Sequence, residues 1–281
     1  MKRLAISLTA LVGLLSLPGI AVPAGVKVSL PAEYGLEPSG VMRDAAYVES
    51  EGETTNAFDR TTIEAQCELA RSLGTTDRHP VFEPGYDKPL KTENHLFIRG
   101  LHRASYRTLH AYRCDREPTP GESSTDYACG CTYRVLPLRT AHIHESGSVR
   151  YEILRIDLTR RTARRESGPS QALPPDASRE LGVIKSYAPE VVAEEVVAGI
   201  PCVVRRHRSS KTAWTDLCIA EDDAATLPPE LRMRALSEVT SSKVGESSHA
   251  WTKAVRVVPS ARVDSTVFQL PEGVVTKDIK R

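Results

Sequence analysis

Apolar and polar positions alternate with a period of two through much of the chain from residue 95 onward. In the first such run, Tyr106 and Cys114 fall on one side of a strand and Arg107 falls on the other. Further runs of the same kind lie at 129–145, 149–158, 191–197, 200–208, 213–220 and 251–258, with a short one at 265–270. The alternation predicts a β-rich chain of long strands.

Two segments have helical spacing instead. The first begins with a capping box at 61–64 and ends at Gly74, a residue typical of helix C-termini. Its apolar face comprises Ile63, Cys67, Ala70 and Leu73. The second follows Pro228-Pro229 and has apolar residues at Leu231, Ala235, Leu236 and Val239. We therefore predict a helix at each place, with Cys67 on the buried side of the first.

Long antiparallel strands combined with two or three covering helices predict an α+β, β-rich fold built on a curved antiparallel sheet. Residues 25–56 are acidic and are interrupted by Pro and Gly, so we expect an irregular lead-in there. Residues 79–94 are predicted to be loop for the same reason. Residues 57–281 then form a single β-rich domain, in which 167–180 is a linker that either joins two parts of one sheet or separates two domains.

The first 24 residues have the order of a secretory signal peptide: Lys2-Arg3, an apolar run over 4–17, and small residues up to Ala24. The apolar run is shorter than the roughly 20 residues that a spanning helix needs. We expect cleavage after Ala24 and no transmembrane segment in the mature protein. The chain is therefore predicted to be exported, and to be periplasmic or secreted.

Charge and composition narrow the classes of function. The chain has 281 residues, a formal net charge of +1 and 5 % aromatic residues. Because a general nucleic-acid binder carries a broad cationic surface, we expect no nucleic-acid partner. The charges are segregated: residues 25–70 hold nine Asp and Glu against three Lys and Arg, whereas 95–165 hold thirteen Arg against seven Asp and Glu.

Six cysteines follow the predicted signal peptide, and an even number in an exported chain predicts three disulfides. Strands at 200–208 and 213–220, joined by a polar turn, form a hairpin centred on Ser210. This register places Cys202 opposite Cys218, close enough for a bridge. We therefore predict the pair Cys202–Cys218.

The pairing of the other four cysteines is left open by the sequence. Cys114 ends one strand and is separated by a loop from Cys129 and Cys131, so it can pair with either of them. The remaining one would then pair with Cys67. A redox or metal-binding Cys-x-Cys site is the alternative, because two cysteines one residue apart on a strand share a face.

Common catalytic signatures are absent: the chain has no G-x-S-x-G elbow, P-loop, dinucleotide fingerprint or H-E-x-x-H pair. We assign no catalytic residue and expect no cofactor. The best metal candidate is the pair His142 and His144, which share one face of a strand. A third ligand would have to come from a neighbouring carboxylate or from His95, His102 or His110.

The C-terminal part resembles a known family. It has a strand at 191–197, then Gly199 and Cys202 in an "x-G-x-x-C" strand, a strand at 214–220, a proline-led helix, and a closing "F-x-x-P-x-G" at 268–273. Over residues 149–275 this order is similar to periplasmic half-barrel proteins of the lipoprotein-carrier superfamily and their uncharacterised relatives. The resemblance implies an incomplete barrel whose concave face holds a lipid or acyl chain. Four Phe, however, provide little aromatic lining for such a groove.

The expected function is therefore that of an exported periplasmic binding protein without enzymatic activity. Its partner would be a lipid-like or amphipathic ligand, or another envelope protein. The first alternative is a protein–protein interaction or structural module of the cell envelope, with the acidic lead-in and the Arg-bearing strands as its surface. The second is a metal-binding protein or unrecognised enzyme centred on His142 and His144.

Overall fold

The structure is a computed structural model that describes residues 25–54, 57–84, 89–146, 150–169, 186–220, 235–242 and 249–279. The predicted signal peptide, most of the predicted linker and the first half of the second predicted helix lie outside the described residues.

Strands dominate the described chain. They are β1 (Val26–Lys27), β2 (Met42–Thr54), β3 (Val81–Phe82), β4 (Leu90–Arg99), β5 (His102–Cys114), β6 (Thr132–Ser146), β7 (Arg150–Asp157), β8 (Thr162–Pro169), β9 (Glu190–Val197), β10 (Ile200–Arg208), β11 (Ala213–Ile219), β12 (Ala235–Ser242), β13 (His249–Asp264) and β14 (Val275–Ile279). The α-helices of the described part are α1 (Ala57–Ser72) and α2 (Ser124–Cys129). Short 3-10 turns occur at Ala32–Tyr34 and Ser265–Phe268. The prediction of a β-rich chain is confirmed.

All these strands belong to one 14-stranded sheet, whose order is β14-β8-β7-β6-β5-β4-β2-β13-β12-β11-β10-β9. Most neighbours are antiparallel, as predicted. The sheet is nevertheless mixed, because β14 pairs parallel with β8, β1 pairs parallel with β13, and β3 pairs parallel with β6. The end strands of the order are β14 and β9.

The central strands are buried on both faces. Four consecutive residues, 45–48 of β2, are buried, and so are residues 95–98 of β4. Because successive side chains of a strand point to opposite faces, such runs mean that each face carries its own core. We call the face that bears Tyr47, Phe97 and Tyr106 the aromatic face, and the opposite face of β2 and β4 the aliphatic face.

The two cores differ in composition. The buried core of the aromatic face consists of Val28, Tyr34, Ala45, Tyr47, Phe97, Ala104, Tyr106, Ala141, Ile143, Leu154, Ile156, Ala163, Ala261, Val263 and Val267. The buried core of the aliphatic face consists of Ala46, Val48, Leu96, Ile98, Val197, Cys202, Val204, Cys218, Ala220, Leu236 and Ala254. Strands β2, β4 and β13 contribute to both.

The expectation of an irregular lead-in at 25–56 is wrong for residues 42–54, which form the central strand β2. The sequence hides this strand, since its first buried residues form an unbroken run and its second half is acidic. The predicted loop at 79–94 likewise contains β3 and the start of β4. In both segments the many polar and turn-forming residues led to a prediction of irregular structure, although the residues form strands.

The first predicted helix is present as α1, which begins four residues earlier than the capping box suggests. Cys67 and Ala70 are buried in it, whereas Leu73 follows the helix and is 68 % exposed. The second predicted helix is wrong for residues 235–242, which form β12 between β11 and β13. Pairing with the strands on both sides outweighs the helical spacing of the apolar residues there. Residues 265–268 form a 3-10 turn rather than the predicted strand.

Three disulfides are present. Cys67 pairs with Cys129 and so ties α1 to α2, while Cys114 pairs with Cys131 and closes the loop between β5 and β6. Cys202 pairs with Cys218, the pairing that the hairpin predicts. The predicted register is off by two residues, since Cys218 lies opposite Val204. The described residues include no free cysteine, so the Cys-x-Cys segment has no free thiolate to bind a metal ion.

Candidate functional site

On the aromatic face, the apolar core ends at His95. Strand pairing places His95 directly between Glu49 of β2 and Tyr106 of β5. The side chain is deeply buried, with 6 % of the residue exposed. Histidine is seldom buried to this extent without a specific role for its two ring nitrogens.

Tyr47 links His95 to Glu49. Its hydroxyl oxygen lies 2.9 Å from Nδ1 of His95 and 3.1 Å from Oε2 of Glu49. An ionised carboxylate can only accept a hydrogen bond, so the hydroxyl of Tyr47 donates to Glu49. Both contacts are hydrogen bonds only if Nδ1 of His95 carries a proton and donates it to the tyrosine oxygen. In neutral histidine this leaves Nε2 unprotonated, with a lone pair.

That second nitrogen is the unusual atom of the site. Nε2 of His95 is buried and has no hydrogen-bond partner among the residues that the structure describes. Buried polar atoms in folded proteins nearly always have a partner, because an unpaired one loses its bonds to water without replacement. The atom is therefore an acceptor available to a donor from outside the chain.

Burial sets the protonation of this group. It lowers the pKa of His95, although the carboxylates of Glu49, Glu93 and Glu33 act in the opposite direction. Burial also raises the pKa of Tyr47, and the charge of Glu49 adds to that effect. The imidazole and the phenol thus both remain neutral at neutral pH, which preserves the hydrogen-bond order described above.

Tyr34 covers the site from the N-terminal lead-in. The 3-10 turn that carries it ends at Gly35, whose φ of 64° lies in the left-handed region. Its ring meets His95 and Tyr106 edge-on, with centroids 5.7 Å and 5.6 Å apart. Its hydroxyl lies 3.0 Å from Oγ1 of Thr108, and burial raises its pKa. A surface turn therefore places one aromatic side chain into the buried cluster.

Acidic side chains extend from His95 along the same face. By strand alternation, Glu49, Glu51 and Glu53 of β2 share this face. Basic residues of the neighbouring strands lie opposite them in the ladder: Arg256 opposite Glu49, Lys253 opposite Glu51, and Lys91 opposite Glu53. The carboxylates of Glu49, Glu93 and Glu33 act on His95, and Arg256 lies over the Tyr47 ring, 5.9 Å from its centroid.

The two carboxyl groups with the strongest shifts lie elsewhere and serve the loops. Hydrogen bonds from Arg116, with further ones from Thr119 and Arg78, hold the pKa of Glu122 far below its usual range. Burial disfavours the charged form of Asp264 and so raises its pKa, but hydrogen bonds from Thr266 and Ser39 together lower the pKa more strongly. Both carboxylates are saturated with donors and close chain segments, so neither is a candidate for binding or catalysis.

The predicted metal pair does not acquire a third histidine. His142 and His144 alternate with the buried Ala141 and Ile143, so they lie on the other face of β6. His95, His102 and His110 fall on the face of Tyr106. Across the described ranges, no group of three or more His, Cys, Asp or Glu side chains could hold a metal ion.

Arginines surround the predicted pair instead. Burial lowers the pKa of His142, and the charges of Arg155 and Arg107 lower it further. The pKa of His144 is lowered by burial and by Arg103.

The sequence named His95 only as a possible third metal ligand and gave no sign of Tyr47 or Glu49. The register between β2 and β4 creates this group, and β2 was itself predicted to be irregular. A cue that could have revealed it is the placement of Tyr47, Glu49, Glu51 and Glu53 at every second position, which on a strand puts them on one face that passes from core to solvent.

Comparison with known proteins gives no family assignment. No family model matches the chain, and no curated protein matches it either. In the described part of the chain, no helix combines the length and apolar character that crossing a membrane requires.

Proposed function

We propose that this protein is an exported, non-enzymatic binding protein of the cell envelope, and that an amphipathic ligand binds at His95 on the aromatic face. Export and the half-barrel curvature are parts of this proposal. Export is supported by three disulfides, which are typical of oxidising compartments, and by the signal-peptide pattern of the first 24 residues.

The observation that carries the proposal is a buried, unpartnered Nε2 of His95 inside a cluster of aromatic rings. Ligand sites in proteins combine an apolar, aromatic lining with a few polar atoms that fix orientation. The chain has only four Phe, two Trp and nine Tyr, yet Tyr34, Tyr47, Phe97 and Tyr106 gather around this histidine. Although aromatic residues are scarce in the chain as a whole, this site therefore has an aromatic lining.

The apolar part of the ligand is expected to be short. Side chains from both ends of the mature chain already pack on the aromatic core, among them Leu30, Leu36, Phe268 and Leu270. Tyr106 also donates its hydroxyl to the carbonyl of Val267, at 2.9 Å, and so fixes the C-terminal turn in place. A long acyl chain would have to displace these segments, whereas a short one would displace chiefly the Tyr34 side chain.

Calorimetric titration with three eight-carbon probes tests the proposal: octylammonium, octanoate and octyl glucoside, added to residues 25–281 below their micellar concentrations. We expect saturable binding of at least one probe with one site per chain. A His142→Phe variant, altered on the opposite face, should bind as the wild type does. Failure of all three probes, together with a ligand-free mass for protein purified gently from its own periplasm, would contradict the proposal.

A second candidate function is docking of another envelope protein at β9. Val191, Val192 and Val196 are 55 %, 37 % and 65 % exposed, and β9 ends the strand order of the described sheet. An exposed apolar end strand can pair with an extended segment of a partner. The exposed Glu194 and Glu195 favour a partner segment in which lysines alternate with valines.

Hydrogen exchange of the β9 amides tests this second candidate. A synthetic peptide of alternating Lys and Val should protect residues 191–196, whereas a peptide of alternating Glu and Val should not. Equal protection by both peptides, or by neither, would contradict docking at β9.

A further inference from the structure

We propose that the ligand carries a primary ammonium group, which donates a hydrogen bond to Nε2 of His95, and that Tyr34 is a plug that the ligand displaces. This inference rests on the proposed function, because it specifies the chemistry of the same site. In the absence of ligand, the Tyr34 side chain occupies the position that the ligand takes beside His95.

The acceptor character of Nε2 selects a donor. The contacts of Tyr47 with His95 and with Glu49 place the proton of the imidazole on Nδ1. Nε2 then offers a lone pair and no hydrogen, so a carboxylate or a phosphate without protons cannot bond to it. An N–H or O–H group of the ligand can. An ammonium group supplies three such hydrogens, and one of them satisfies this atom.

The sign of the local charge selects a cation among the donors. The carboxylates of Glu49, Glu93 and Glu33 act on His95, while the nearby arginines already have partners: Arg256 lies over the Tyr47 ring and Arg139 lies 3.5 Å from Glu33. Of these three carboxylates, Glu33 and Glu93 are exposed and Glu49 is partly buried, and a partly buried carboxylate interacts more strongly with a nearby cation than an exposed one does. The tyrosine rings add to this preference, since the face of an aromatic ring attracts a cation. A neutral hydroxyl would gain the hydrogen bond without these two contributions.

Tyr34 is the part of the site that can leave with least disruption. Its ring is 2 % exposed, but its neighbours Ala32, Glu33 and Gly35 are exposed, so the ring reaches inward from a surface turn. A side-chain hydrogen bond with Thr108 anchors the hydroxyl of Tyr34. By contrast, Tyr47, Phe97 and Tyr106 lie on paired strands of the sheet. Displacing the turn exposes His95 without breaking a strand pair.

A plug of this kind reduces the apparent affinity. The ligand binds only the fraction of molecules in which Tyr34 has moved away, so its affinity falls by that fraction. Removing the ring therefore strengthens binding, although it also removes core packing. A residue that merely filled the core would show the loss of packing without the gain in affinity.

The test compares octylammonium, octanoate and octanol by titration calorimetry at pH 7.5 with the folded chain of residues 25–281. In the wild type we expect octylammonium to bind at least about tenfold more tightly than the other two. His95→Phe, which keeps a ring of similar size but removes the acceptor, should lose about tenfold or more in affinity for octylammonium. His142→Phe is the matched control and should change nothing.

Tyr34→Ala provides an independent arm, because it should increase the affinity for octylammonium by about tenfold. It also keeps the inference falsifiable if His95→Phe fails to fold, which circular dichroism reports. Equal affinity for all three probes, or a preference for octanoate, would overturn the ammonium assignment and leave the proposed function standing. An unchanged or weaker affinity of Tyr34→Ala would overturn the plug. If none of these probes and no octyl glucoside binds, and the gently purified protein has a ligand-free mass, the proposed function itself fails.

Discussion

The two faces of the central strands are built from the same backbone but from different side chains. Adjacent residues of β4, such as Phe97 and Ile98, are both almost fully buried and point to opposite sides. The aliphatic face contains no aromatic residue in its buried core and includes the Cys202–Cys218 disulfide. The aromatic face contains four rings and, at its edge, His95.

This difference indicates where binding chemistry can arise. A core of aliphatic side chains and a disulfide leaves no hydrogen-bond requirement and no charge, so it contributes stability alone. A core that contains phenols and an imidazole must provide each polar atom with a partner. Among the described residues, Nε2 of His95 lacks such a partner, and unlike other buried atoms without a hydrogen bond, such as Nε of Arg139, it belongs to the aromatic cluster. The two faces differ in the chemistry of their buried side chains.

Truncating neighbouring side chains of β4 should give the largest contrast between the faces. Phe97→Ala removes a fully buried ring and should lower the free energy of unfolding by about 3–5 kcal/mol. Ile98→Val removes one methyl group from the aliphatic face and should cost about 0.5–1.5 kcal/mol. Urea denaturation measures both. Equal losses would mean that the aromatic face is not packed as densely as its burial indicates.

Removing the Cys202–Cys218 disulfide should destabilise the protein but spare the aromatic face. The bridge spans 16 residues, for which the loop-entropy relation gives a loss of about 3 kcal/mol. The near-ultraviolet circular dichroism of the folded double alanine variant should match the wild type, because the tyrosine cluster lies on the opposite face. Cys114–Cys131, with a separation of 17, is a matched control and should cost a similar amount. A collapsed tyrosine signal in the Cys202/Cys218 variant would show that the faces are coupled.

Tyr47→Phe should sharpen the contrast within the aromatic face. It removes the hydroxyl that joins His95 to Glu49, and an unpaired buried group costs about 1–3 kcal/mol. Tyr34→Phe is the comparison, because it removes one hydroxyl contact, to Thr108, and should cost only about 0.5–1.5 kcal/mol. Thermal and urea unfolding measure both variants. A larger loss for Tyr34→Phe would contradict the central place of Tyr47 in the network.

The pH dependence of stability should contain a small contribution from His95. Burial lowers its pKa in the folded state, against the opposing charges of Glu49, Glu93 and Glu33. Below its usual value of about 6.5, the unfolded chain binds a proton that the folded chain does not, so stability falls as the pH decreases. Above about pH 6.5 the imidazole is neutral in both the folded and the unfolded chain, so the protein keeps the full stability that it loses at lower pH. The difference in unfolding free energy between wild type and His95→Phe should therefore decrease as the pH is lowered from about 7 toward the folded-state pKa.

A pH-independent difference between these two proteins would contradict the buried, neutral imidazole. His142→Phe gives a comparison from the opposite face: burial also lowers the pKa of His142, so its difference in stability from the wild type should change with pH in the same direction.

The sequence predicted the fold best where the alternation of side chains was undisturbed. Strands β5 to β7 and β9 to β11 lie close to their predicted positions, and the hairpin led to the Cys202–Cys218 pair. The two-residue error in its register shows that a turn of four polar residues does not fix the centre of a hairpin. Cys202 lies one residue beyond the β10–β11 pairing, and its Cα is nevertheless 5.4 Å from that of Cys218.

The sequence failed where burial depends on distant partners. β2 was missed because a strand buried on both faces has no alternation to detect in residues 45–48. β12 was taken for a helix because the spacing of Leu236 and Val239 fits both structures, and only its neighbours β11 and β13 decide between them. His95 acquires its partners through the pairing of β2 with β4, so no local pattern could have shown that one of its nitrogens is unpaired.

The tautomer of His95 is the most direct test of the account, because the acceptor character of Nε2 underlies the proposed site. Nitrogen-15 NMR of the imidazole distinguishes a protonated ring nitrogen from an unprotonated one. We predict that in the folded protein at pH 7 the proton resides on Nδ1 and Nε2 is unprotonated, and that Tyr47→Phe disturbs this state while His142→Phe does not. A proton on Nε2, with Nδ1 accepting from Tyr47, would contradict the account.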